Sequence, residues 1–197
     1  MLGQLERGWG RVRCGLASSQ AGLPARLELT QAVLKPDLVL HPPNLAAAQE
    51  MILANGFLVV RSRLTCLTRS AAEQFYAEHR GKFFYNRLVT FMSSGPCQPL
   101  ILAKQNAILD WRELMGPTKV FRTGFTHPDS IRGKFGLTDT RNCSHGSDAA
   151  ATAEREIQFF FPDFDLVMWE AEERAQLEAG NVRLDRSDFI HRIVTTM

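Results

Sequence analysis

The chain lacks the features that mark several protein classes. Its four cysteines (Cys14, Cys66, Cys97 and Cys143) are widely separated and form no CxxC pair. That excludes a zinc ribbon and offers no disulfide framework, so reduced thiols in an intracellular compartment are the expectation. No apolar run reaches the roughly 18 residues needed to cross a bilayer, so no membrane span is expected. Glycine (14) and proline (9) are too few among 197 residues for a fibrous or low-complexity chain. There is no internal repeat, and no GxxxxGK(S/T) loop, which excludes a P-loop NTPase.

What is present is globular. Hydrophobic residues make up 45% and charged residues 22% of a 22.1 kDa chain, enough for one ordinary domain with room for tails. The net charge of +2 is unevenly spread. Residues 1–26 carry four arginines against one glutamate, whereas 163–197 carry four arginines against eight acids. The plain reading is two solvated tails on a nearly neutral core. A modestly basic centre suits a small anionic ligand better than a long polyanion, and no nucleic-acid partner is expected. Residues 1–26 are also nearly free of acids and contain Ser18 and Ser19, a composition that fits a mitochondrial presequence. The alternative is an idle tail on a cytoplasmic protein.

The body alternates between strand and helix patterns. Residues 27–34 read as a strand, 43–54 as a helix opened by proline, and 57–67 as a second strand. Residues 70–79 read as a helix, with Ser70 and Glu73 at capping-box spacing. Residues 84–93 read as another helix, 97–103 as a short buried strand and 106–115 as a helix. A long loop is expected over 116–136, then a short strand, then a helix over 147–161. This order predicts an α+β fold: a ferredoxin-like βαββαβ antiparallel sheet with helices on one face.

The densest polar cluster is NCSHGSD at 142–148. A histidine beside glycine, between a strand end and a helix start, can present its imidazole to a substrate. Imidazole is nucleophilic near neutral pH and needs mainly orientation. Glu156 follows on the predicted helix, within reach of a ring nitrogen. Phosphoryl transfer also needs cations around the phosphates, and the chain offers Lys35 at a strand end, Arg112 on a helix and Arg132 near Thr118. On the residues alone, His145 reads as readily as a capped loop histidine, and the three cations as solvated surface charges.

Longer motifs connect these residues. The stretches VLKPD (33–37), FYAEHRGKFFYNRLVTFMSSGP (75–96), WRELMGPT (111–118), DSIRGKFG (129–136), RNCSHGSD (141–148) and EREI (154–157) resemble the nucleoside diphosphate kinases. The similarity is greatest to the divergent nucleoside diphosphate kinase 6 group and covers about residues 27–164. The resemblance implies a kinase that moves the γ-phosphate of an NTP to an NDP by a ping-pong route. It implies that His145 is the nucleophile and becomes a phosphohistidine, oriented by Glu156 and Ser147, with Tyr76 beside the ring. It places Lys35 and Asn142 at the ribose and phosphate end of the nucleotide, and Arg112, Thr118 and Arg132 on the phosphates. Phe84 stacks on the base in this scheme, and Mg2+ arrives with the nucleotide rather than in a protein cage.

Three departures from the family pattern stand out. The segment from Gly116 to Arg132 is longer than usual. Asp139 and Thr140 occupy positions that are usually apolar and glycine beside the base. The segment after residue 164 is longer and acidic. These changes make a hexamer unexpected, and leave a homodimer, a monomer or a protein partner. They also keep open a second reading: a weakly active or inactive nucleotide-binding interaction protein in mitochondria. A ferredoxin-like RNA-binding domain fits poorly, because a central strand with paired aromatics is lacking.

Overall fold

The computed structural model describes residues 26–194; residues 1–25, which hold nearly all of the basic N-terminal segment, lie outside it. The first strand, β1 (Glu28–Leu34), pairs antiparallel with β4 (Pro96–Lys104) along its whole length. β2 (Leu58–Ser62) pairs with the other side of β4, and the three-residue β5 (Ser144–Gly146) pairs with β1, giving the order β2-β4-β1-β5. A two-residue β3 (Thr65–Cys66) adds to the end of β4. The strand expected over 57–67 is thus two pieces, with Arg63 and Leu64 between them and a register shift at Val60.

This is the α+β antiparallel sheet that the sequence predicts, with one difference: helices cover both of its faces rather than one. The strands themselves require it, since β1 and β4 are nearly unbroken buried runs, the mark of a sheet covered on two sides. Ala32, Leu34, Leu100 and Leu102 face α2 (Pro42–Ala54) and α5 (Ala107–Met115), burying Ile52 and Trp111. On the opposite face Val33 and Cys97 meet α3 (Arg69–Phe75), α4 (Tyr85–Met92) and Phe160 of α8 (Ala150–Phe160).

Two other expectations change. The N-cap of α3 is Thr68, whose hydroxyl accepts from the Ala71 N–H, so Ser70 lies within the helix. The long loop over 116–136 contains two short helices, α6 (Val120–Thr126) and α7 (Ile131–Phe135). Ser130 caps α7 by accepting from the Gly133 N–H. The first N–H of α6, on Val120, is met by Asp139, nineteen residues later. A cap supplied from that distance leaves no local signature.

The acidic C-terminal segment is folded over its described length. A helical run, α9 (Leu166–Met168), a π turn over Trp169–Glu173 and α10 (Arg174–Glu178), leads to a hairpin of β6 (Val182–Asp185) and β7 (Ile190–Ile193). Trp169 and Leu177 are buried against Leu29, Val60, Ile101 and Ile157. Arg61 makes a two-pronged contact with Glu173 at 2.6 and 3.0 Å. The packing, not the charge, decides that this segment is ordered.

Trp169 is 1% exposed, so Trp169→Ala should cost about 3–5 kcal/mol, as for other buried large-to-small changes. Urea denaturation measures it; an unchanged midpoint would mean that the segment contributes nothing to the fold.

Candidate functional site

The site grows from the end of β1. Pro36 opens the short α1 (Pro36–Val39), where a missing N–H costs nothing. The Lys35 N–H donates to the Cys143 carbonyl at 2.8 Å, and the Cys143 N–H donates to the Asp37 carboxylate at 3.0 Å. Cys143 sits in the left-handed region at φ 67°, which costs a residue with a Cβ about 1–2 kcal/mol. The two hydrogen bonds hold it there. Burial raises the Asp37 carboxyl above its ordinary pKa.

His145 leaves this turn on β5. Its Nε2 lies 2.9 Å from Glu156 Oε2, and the same oxygen accepts from the Ser147 hydroxyl at 2.7 Å. With that oxygen accepting, the ring proton belongs on Nε2, and Nδ1 keeps a bare lone pair with no partner among the described residues. Phe75 and Tyr76 meet the ring edge-on, with centroids at 5.0 and 6.1 Å. The Tyr76 hydroxyl is buried without a hydrogen-bond partner among the described residues, and burial followed by the Glu156 charge pushes its pKa up, so it stays protonated. On the other side, the Trp111 indole N–H donates to the His145 carbonyl at 3.1 Å. A Cβ on Gly146 would lie 2.4 Å from that indole, so only glycine fits beside the histidine.

Two buried cations face the same space. Lys35 Nζ donates to Asn142 Oδ1 at 2.6 Å. Arg132 donates to the carbonyls of Gly116 (2.6 Å) and Ser144 (3.0 Å), and its Nε has no partner among the described residues. Neither has a carboxylate within ion-pair distance among the described residues. Burial, then Arg132, lowers the Lys35 pKa to about 7. Burial, then Arg112, lowers Arg132 to about 10. Uncompensated buried cations are costly unless an anion completes the site.

A cleft of about 1050 Å³ is lined by Lys35, Tyr76, Phe84, Thr118, Arg132, Asn142 and His145. Next to it a recess of about 630 Å³ adds Arg112 and Glu156 and shares Thr118, Arg132 and His145. The structure therefore gathers every residue singled out from the sequence: nine border these two spaces, and Ser147 stands behind them on Glu156. Phe84 forms a half-buried wall, with Lys82 Nζ 5.8 Å from its ring centre. Asp139 also lines the cleft, but its carboxylate is occupied by Lys119 Nζ (3.0 Å) and the Val120 N–H (3.1 Å). No group of three or more metal-ligating side chains occurs among the described residues.

Sequence reasoning missed three supports: Asp37, Trp111 as a ligand of the histidine carbonyl, and the engagement of Asp139. Only Asp37 carried a signal, through its place in the KPD motif.

The family model for nucleoside diphosphate kinase matches residues 28–166. The human protein nucleoside diphosphate kinase 6 is 51% identical over 173 residues, covering 88% of this chain and 93% of its own. Its counterpart from Danio rerio is 48% identical, covering 86% and 97%. Among solved structures, the nucleoside diphosphate kinase of Aquifex aeolicus superposes with a TM-score of 0.66 at 34% identity, over 68% of this chain and 95% of that one. The Encephalitozoon cuniculi enzyme gives 0.63 at 25% identity, over 68% and 88%. A match this long, on a sheet and cleft of the same build, makes the chain a member of the nucleoside diphosphate kinase family.

Proposed function

We propose that this chain transfers the γ-phosphate of an NTP to an NDP through a phosphohistidine at His145 Nδ1. The observation that supports this most is the bare Nδ1, held by Glu156 and Ser147 beside two buried cations that lack carboxylate partners. In the first step the Nδ1 lone pair bonds to the γ-phosphorus while the bond to the β–γ bridging oxygen breaks, and the NDP leaves with that oxygen. The Glu156 carboxylate, bonded to Nε2, balances the positive charge that develops on the ring. In the return step a terminal oxygen of a second NDP attacks the same phosphorus, and the electrons of the P–N bond return to Nδ1.

Such transfers depend on positioning and charge stabilisation. Lys35, Arg132, Arg112 and Thr118 hold the phosphates in this reading, Asn142 anchors Lys35 and meets the ribose end, and Tyr76 fixes the ring. Phe84 supplies a stacking face that any base can use. Mg2+ would arrive bound to the incoming nucleotide and would supply further charge neutralisation there.

A second reading, a weakly active or inactive nucleotide-binding interaction protein in mitochondria, has one observation in its favour. Phe121 and Phe125 pair on α6 at 85% and 77% exposure, beside the cleft rim at Lys119. The two readings share the nucleotide site and differ in turnover.

Multiple-turnover transfer from an NTP to a second NDP separates them, and incubation with γ-labelled ATP tests the nucleophile. The wild-type chain should acquire acid-labile, base-stable label that His145→Ala abolishes, with ADP binding retained. Label that persists in the variant would sink the assignment. Lys35 sets a pH dependence: its folded pKa of about 7 means that the empty cleft loses this positive charge above neutrality. The ratio of wild-type to Lys35→Gln affinity for ADP should therefore fall as pH rises past about 7. A constant ratio would remove Lys35 from the phosphate site. For location, residues 1–26 fused to a fluorescent reporter should enter mitochondria. A diffuse cytosolic signal would reject them as a sufficient targeting signal.

A further inference from the structure

Thr118 and Arg132, both assigned above to the phosphates, flank α6, a segment with little to hold it. Of its seven residues only Val120 and Thr123 are buried. Val120 packs on the end of α7, so closely that a Cβ on Gly136 would come within 2.9 Å of its methyl groups. The other fastening is polar. One oxygen of the Asp139 carboxylate accepts the Val120 N–H at 3.1 Å, and the second accepts Lys119 Nζ at 3.0 Å. Thr118 moves with α6, because the Thr123 hydroxyl lies 3.0 Å from the carbonyls on both sides of it, those of Pro117 and Lys119.

Asp139 is itself firmly mounted. The N–H groups of Leu137 and Thr138 donate to the Arg141 carbonyl at 2.8 and 3.0 Å, and the Arg141 N–H donates to Thr138 Oγ1 at 3.0 Å. The Asp139 carbonyl accepts from Asn142 Nδ2 at 3.0 Å, and Oδ1 of the same amide holds Lys35. The residue therefore joins two parts of the cleft wall, Thr118 through its side chain and Lys35 through its main chain. An apolar side chain at 139 could accept from neither Val120 nor Lys119.

We propose that Asp139 is a positioning residue for phosphate binding, which holds α6 and, through α6, keeps Thr118 where the phosphates need it. This rests on the nucleotide reading of the cleft. The bond to Val120 carries the effect, since an ion pair as exposed as Lys119–Asp139 contributes little. Without that bond α6 is uncapped, and binding has to order a segment that Asp139 orders beforehand.

The test measures dissociation constants of the full-length chain for ADP, GDP, CDP and UDP by calorimetry. Asp139→Ala should weaken all four by a common factor of about three to ten. Asp139→Asn keeps an acceptor for the Val120 N–H and should stay within about twofold of wild type. Lys119→Ser places a capping hydroxyl at the start of α6 itself, so in that background Asp139→Ala should cost less than about twofold. Unchanged affinity in Asp139→Ala overturns the proposal. A loss that differs severalfold among the bases also overturns it, in favour of direct base contact, as does a full loss repeated in the Lys119→Ser background. If Asp139→Ala does not fold, adding Lys119→Ser must restore folding and affinity together, and failure to do so overturns the proposal. A wild-type chain that binds none of the four removes the nucleotide reading and the proposal with it, whereas every other adverse result leaves that reading intact.

Discussion

The site depends on the bond between the Asp37 carboxylate and the Cys143 N–H. Cys143 occupies a backbone region that its Cβ disfavours, and it is the hinge on which the chain turns into β5. The bond fixes Asn142 against Lys35 on one side of the hinge and sends His145 toward Glu156 on the other. Two residues of separation along β1 and α1, Lys35 and Asp37, thus determine where a histidine more than a hundred residues later points its lone pair. Trp111 completes the arrangement by holding the histidine carbonyl.

The two buried cations of the cleft carry an electrostatic cost that no carboxylate partner among the described residues relieves. Lys35 and Arg132 are 4% and 7% exposed, near enough for Arg132 to lower the proton affinity of Lys35, and their hydrogen bonds go to uncharged atoms. The unfolded chain holds the Lys35 proton up to about 10.5, while the folded chain releases it near 7. Fold stability therefore rises with pH between those values, as the burden of the buried charge is relieved. Between them the fold tolerates a charge arrangement that an anionic ligand would complete.

Much of this was legible in the sequence because it is local. The strand and helix periods located β1, α2, α4, β4 and α5 to within a residue or two, and the KPD and HGSD runs marked the groups that meet in the cleft. What escaped depends on distant contacts. The α6 cap comes from Asp139, so 116–136 carried the punctuation of a loop. The second helical layer was hidden because the polar Thr30 and Gln31 interrupt the apolar pattern of β1, although both are fully buried. The charge of residues 163–197 suggested solvated chain, yet Trp169, Leu177 and Phe189 are spaced along it to fill gaps that other elements leave. Whether Lys35 and Arg132 would converge could not be read from spacing, since the turn that joins them rests on an unfavourable φ at a cysteine.

The order of synthesis adds a consequence of the C-terminal hairpin. Everything needed for the sheet and the cleft is complete by the end of α8, whereas the residues that cover β2, with His191 on the Val59 N–H, are made after it. At about 5–20 residues per second, the interval between the two is on the order of seconds. During it β2 is bare and Leu29, Val60 and Ile101 lack the two side chains that later seal them. A nascent chain of this protein therefore passes through a window, absent from the finished molecule, in which neighbours on a crowded polysome meet an open strand edge.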